Sequence, residues 1–106
     1  MSFIYAISDG ENIKIGYSKN PSKRLKQLQT GCVKPLSLIH TIEVDDNKVK
    51  IVETLIHNNL SANKLSGEWY NIDNEKAIYE LDYAEIRYAG NDNLITLYKN
   101  GLKSLL

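Results

Sequence analysis

With one cysteine, Cys32, the 106-residue chain cannot build an internal disulfide framework, which fits a reducing compartment. Cys32 also has no Cys or His at metal-ligand spacing, so a zinc site is not expected. No stretch approaches the ~18 consecutive apolar residues of a membrane helix, and the N-terminus lacks a basic region followed by an apolar run. These absences lead to the expectation of a soluble, cytoplasmic protein with no membrane partner. Formal net charge is zero, which argues against indiscriminate binding to polyanions. Internal repeats, low-complexity segments and linkers are also lacking, as is a separate DNA-reading module such as a zinc finger or helix-turn-helix. What is left is one domain, large enough to bury a core without staples.

The charges that are present are unevenly placed. Between Lys14 and Lys34 stand six basic residues and no acidic one, whereas between Glu68 and Asp92 seven acidic residues face two basic ones. If these stretches lie on different faces, a polyanion is steered to the first and repelled by the second.

Hydrophobic periodicity gives the elements. Phe3–Ser8 and Asn12–Tyr17 read as strands joined by the hairpin signal Asp9-Gly10-Glu11-Asn12. Asn20 caps a helix with Pro21 at its first position, Leu25 and Leu28 on its inner face and Gly31 as its stop. Leu36, Leu38, His40, Ile42 and Val44 alternate with polar or outward residues, the pattern of a third strand. Asp45-Asp46-Asn47 offers N-cap chemistry for a second helix reaching about Ser61 or Asn63, its stripe formed by Val49, Val52, Ile56 and Leu60. Trp69 to Ile72 suggests a short extended piece, and Asp73 caps a brief third helix. Two strand-like runs, Tyr83–Ala89 and Leu94–Tyr98, flank a Gly90-Asn91-Asp92-Asn93 turn. The expected architecture is α/β (α+β): a small three-stranded antiparallel sheet flanked by helices over residues 1–80, with a C-terminal β-hairpin extension over 81–106 in the same compact unit.

Chemistry concentrates in Tyr5, the run Lys14-Ile15-Gly16, Arg24 and Glu53. A phenol can handle a proton, an arginine can clamp a phosphate and a carboxylate can hold a divalent metal, together the parts of a phosphodiester hydrolase. Tyr5, mid-strand, is read either as a packed ring or as a hydroxyl at the mouth of a site. Gly16 breaks a run of strand formers, the mark of a bulge or of close approach by another group. Arg24 lies among Lys19, Lys23 and Lys26 near a helix start, where free N–H groups, the dipole and a bidentate fork favour phosphate. Glu53 falls one step off the apolar stripe of its helix. His57, four residues on, is free to orient it, to touch substrate or to pack at the helix edge. His40 reads as a half-buried structural histidine, and Trp69 with Tyr70 as core closure.

Phe3-Ile4-Tyr5, Ile13-Lys14-Ile15-Gly16-Tyr17-Ser18, Arg24 to Gly31, Glu53-Thr54-Leu55-Ile56-His57 and Gly67-Glu68-Trp69-Tyr70 resemble, in order and spacing, the GIY-YIG nuclease superfamily. The likeness is to its short phage-type branch, often described as a DNA-binding domain. The resemblance implies a DNA endonuclease in which Tyr5 helps deprotonate the attacking water beside Gly16. Arg24 stabilises charge on the phosphate, Glu53 binds one Mg²⁺ (or Mn²⁺), and Lys19, Lys23 and Lys26 contact substrate. Lys14 stands where the superfamily's name puts a second tyrosine and Phe3 where it puts a glycine. A lysine there can place a positive charge on an attacking or leaving oxygen, or act as a base when buried. Two other readings stay open: a nucleic-acid-binding module without turnover, and a phage-encoded protein that captures a nucleotide or a host enzyme. The partner expected first is DNA, with a homodimer open, and the setting is the cytoplasm of a bacterium or of a phage-infected cell.

Overall fold

The computed structural model describes residues 1–100. The first turn is built by Asp9, whose carboxylate accepts the backbone N–H groups of Glu11 and Asn12 at 2.9 and 2.8 Å. Gly10 supplies a φ of +99°, which L side chains rarely adopt. The turn closes an antiparallel hairpin of β1 (Ser2–Ser8) and β2 (Ile13–Ser18), as expected. Its register sets Tyr5 opposite Gly16 and Ile7 opposite Lys14, so these four share one face. Ile4, Ala6, Ile13 and Ile15 share the other.

Helix α1 (Pro21–Thr30) has the expected start: the Asn20 side chain accepts the Lys23 N–H at 3.1 Å and Pro21 opens the first turn. Strand β3 (Ser37–Val44) pairs with the free side of β1, with a bulge between Ala6 and Ile7. His40, Ile42 and Val44 keep the expected face, but the bulge sets Leu38 opposite Ile7. Ile39 takes the inward place and packs on the core. Helix α2 spans Val49–Asn59 with no side-chain cap. Asp46, expected as capping chemistry, instead accepts Ser2 at 2.7 Å and pairs with Lys19 at 2.8 Å, and these bonds hold its carboxyl far below the usual range.

The sheet has five strands in the order β3-β1-β2-β5-β4, not three. The two additions are short: β4 (Lys64–Ser66) and β5 (Trp69–Tyr70), turned about Gly67 at φ +57°. The free edge of β2 recruits β5, pairing Ile13 with Tyr70 and Lys14 with Trp69. Because β4 is wholly exposed it carries no apolar alternation, and so leaves no trace in the sequence pattern.

The expected C-terminal β-hairpin is helical. Helix α3 (Asn74–Ala84), capped by Asp73, continues through a π-helical turn (Glu85–Ala89), and α4 (Asp92–Lys99) follows. The boundary expected after residue 80 therefore falls inside α3, and the last part of the expected extension, residues 101–106, lies outside the described residues. Local β propensity at Tyr83, Ile86 and Tyr88 lost to burial at helical spacing. Ala77, Leu81 and Ala84 are fully buried against the sheet, with Tyr88 packed beside them.

The main core lies on the Ile4 face, between the first three strands and helices α2 to α4. Helix α1 touches the same strands but buries no residue completely, Leu25 and Leu28 being half-buried. Among the described residues no helix is long and apolar enough to cross a membrane.

Candidate functional site

Tyr5 lies across Gly16 so closely that only glycine fits. A Cβ there would stand 2.6 Å from Tyr5 Cζ and 3.1 Å from Cε1. The glycine is thus required by close approach, as its place inside a strand implied. The ring is buried, and burial raises the phenol's pKa above its ordinary value. The positive charge of Arg24 opposes this, while the charges of Glu68 and Glu53 add to it. At neutral pH Tyr5 therefore keeps its proton. Three elements far apart in sequence bring their charges to this one hydroxyl: α1 through Arg24, α2 through Glu53 and the β4–β5 turn through Glu68.

Glu53 and His57 are one turn apart on α2, which sets them on one side of the helix. His57 stacks on Tyr70 with ring centroids 5.5 Å apart, and its Nδ1 meets the Tyr70 hydroxyl. This fixes the ring and leaves Nε2 facing carboxylates, 3.6 Å from Glu53 Oε2 and 3.9 Å from Glu68 Oε2. His57 packs at the helix edge against Tyr70, with Nε2 facing Glu53 but not hydrogen-bonded to it. Burial and the same two glutamates raise the Tyr70 pKa as well.

Glu53 Oε2 and His57 Nε2 are both buried without a hydrogen-bond partner. Each such orphan costs about 1–3 kcal/mol unless a partner joins the two. One ligand atom each from Glu53, His57 and Glu68 lie within 4.8 Å of one another. On these grounds the residues fit a divalent ion. A shallow cleft of about 300 Å³ lined by Thr54, His57, Lys64, Gly67, Glu68 and Tyr70 opens beside them.

Lys14 does not project freely. Its Nζ is 3.2 Å from Glu68 Oε1 and 5.8 Å from the centroid of the Trp69 ring. Tertiary pairing also thins the basic stretch, since Lys19 meets Asp46 at 2.8 Å and Lys34 meets Glu11 at 3.2 Å. Among the described residues Arg24, Lys23 and Lys26 make no ion pair, so α1 carries the free positive charge. On the acidic side, Lys76–Glu80, His40–Asp82 and Lys48–Asp92 are paired at 2.9, 2.7 and 2.6 Å.

Glu68 and the Tyr70 hydroxyl are the participants that sequence reasoning passed over. Gly67-Glu68-Trp69-Tyr70 stood out as a segment, but its Trp and Tyr were read as core closure. The sequence signal was the glycine itself, which marks a tight turn able to aim the next side chain. Nothing in the spacing from Glu53 to Glu68 says that they meet, because β5 docks on an edge that only the folded sheet presents.

The fold and this site define a small α+β domain in which tyrosine, arginine, carboxylate and imidazole groups converge at a sheet edge. The chain belongs to the T5orf172 domain family, whose model matches residues 2–84. This is a phage-associated family related to nuclease and DNA-binding modules. Comparison with curated proteins and with solved structures gave no match.

Proposed function

We propose that this domain is a GIY-YIG-type endonuclease that hydrolyses DNA phosphodiester bonds with a divalent metal, Mg²⁺ or Mn²⁺. The observation that carries the reading is the gathering, from separate elements, of Glu53, His57 and Glu68 into one cluster, with the Tyr5 phenol under the charges of Arg24, Glu68 and Glu53. Arg24 clamps the scissile phosphate with its planar fork and stabilises the charge that builds on it. Tyr5, protonated at rest, donates a hydrogen bond to a phosphate or water oxygen and so orients it for the in-line attack. Gly16 leaves the space that lets the phenol sit over β2. Lys23 and Lys26, with Lys19 at the margin, hold the flanking phosphates. Glu53 would hold the metal, which would polarise the phosphate oxygens.

A second reading, a nucleic-acid-binding module without turnover, is favoured by one specific feature. The position that would carry a second phenol is Lys14, and that lysine is tied to Glu68. Incubation of plasmid and branched DNA with the wild type and Glu53→Gln, in Mg²⁺ or Mn²⁺, separates the two. Metal-dependent nicking by the wild type and none by the variant supports the nuclease. Binding without cleavage supports the module, and no binding at low salt removes both.

A further inference from the structure

We infer that the metal centre is built from three protein ligands, Glu53, His57 and Glu68, and selects a nitrogen-accepting cation such as Mn²⁺ or Zn²⁺ over Mg²⁺. The inference deepens the proposed metal site and rests on that reading only for the presence of an ion at Glu53.

The donor set comes first. A lone carboxylate with waters and phosphate oxygens suits Mg²⁺, which keeps its hydration and prefers oxygen. Here His57 Nε2 lies 3.6 Å from Glu53 Oε2 and 3.9 Å from Glu68 Oε2, and one ligand atom from each of the three residues lies within 4.8 Å of the others. Ligands bound at about 2.0–2.2 Å around one ion lie roughly 3 to 3.5 Å apart, so the two His57 separations close by well under an ångström and the Glu53–Glu68 pair by less than about 2 Å. An imidazole ligand shifts preference toward first-row transition metals, among which affinity follows a fixed order with Zn²⁺ above Mn²⁺.

Support behind the ligands comes next. A ligating histidine usually uses its other nitrogen to bond a fixed group, which sets its tautomer and ring angle. His57 does so through Nδ1 to the Tyr70 hydroxyl, beneath which the two rings stack. Glu68 is steadied in the same way: Oε1 is held by Lys14 at 3.2 Å while Oε2 is turned toward His57. Lys14 is then a positioning residue for Glu68, and the basic side chain at that strand position has a reason independent of phosphate chemistry. The two buried orphan atoms, Glu53 Oε2 and His57 Nε2, are the pair that an ion would join.

The test is metal binding, read without DNA. Titration calorimetry of the intact protein with Mn²⁺, Zn²⁺ and Mg²⁺ should show Mn²⁺ and Zn²⁺ binding at least about tenfold tighter than Mg²⁺. Electron spin-echo spectroscopy of the Mn²⁺ complex should show nitrogen-14 modulation from an imidazole, lost in His57→Gln. Tyr70→Phe should weaken Mn²⁺ about 10- to 100-fold through the freed ring, and Glu68→Gln by at least as much. Glu68 is partly exposed, so Glu68→Gln should fold normally and carry the test even if His57→Gln does not fold. Mn²⁺ binding with no nitrogen coupling and no loss in Glu68→Gln would overturn the inference, leaving Glu53 as a one-carboxylate site. Equal affinity for Mg²⁺ and Mn²⁺, or no binding of any ion, would overturn it too. Nitrogen-coupled Mn²⁺ in a protein that never cuts DNA would uphold the centre while removing the nuclease reading.

Discussion

Replacing Gly16 with alanine isolates the packing contact on which the candidate site is built. Gly16 is not among the glycines with positive φ, so its backbone conformation is open to alanine and the whole penalty is steric. The new methyl would stand 2.6 Å from Tyr5 Cζ, and the Tyr5 ring is only 1 % exposed, so the ring has nowhere to retreat without moving its neighbours. Overpacking of this kind costs about 1–3 kcal/mol. In a domain of this size that is a fall in Tm of about 5–20 °C. The assay is urea or thermal unfolding of four proteins: wild type, Gly16→Ala, Tyr5→Leu and the double variant. Tyr5→Leu removes both Cζ and the hydroxyl, so alanine at position 16 should cost much less in that background. The cycle should return a coupling of about 1 kcal/mol or more. Strictly additive losses, or a Gly16→Ala Tm within about 2 °C of the wild type, would refute the argument.

Three further outcomes follow from the same geometry. The raised Tyr5 pKa means that the folded state holds the phenol's proton more tightly than the unfolded chain. This contribution is complete below about pH 10 and lost as pH rises through the folded value, so Tyr5→Phe should flatten the alkaline limb of a stability profile while slowing cleavage. An unchanged alkaline limb would show that the tyrosine is not perturbed. Arg24→Ala should weaken both DNA binding and cleavage, and Arg24→Lys should restore only part, because lysine lacks the bidentate fork; full rescue would mean that any positive charge suffices. Lys23 and Lys26 are the unpaired lysines of α1, so replacing both with alanine should lower the slope of log affinity against log salt by about 1.8 on duplex DNA. Lys19, engaged by Asp46, should contribute less, and an unchanged slope in the double variant would place DNA on another face.

The sequence by itself determined the local parts and the chemistry they carry. Asp9-Gly10 made the first hairpin legible, Asn20-Pro21 started α1 where expected, and alternation through His40, Ile42 and Val44 marked β3. These signals are short-range: a turn residue, a cap or a side-chain period speaks for its own segment. The same locality let Gly16 be read as a site of close approach and let Tyr5, Arg24 and Glu53 be singled out by residue type and order. Local signals failed where tertiary contacts outvoted them. Residues 83–89 carry β-forming side chains, yet they continue a helix because Ala77, Leu81 and Ala84 bury one helical face on the core. β4 has no inward face to write a pattern, and the bulge beside Ile7 exchanges Leu38 and Ile39 without any mark in their order. Only the folded sheet decided the ion pairing of Lys14, Lys19 and Lys34, which turned six basic residues into a narrower free patch. Only it brought Glu68 to His57 and Glu53, because that meeting depends on which edge of β2 is left open for β5. Residue chemistry can be read one position at a time, whereas the distance between two charges is a property of the whole chain.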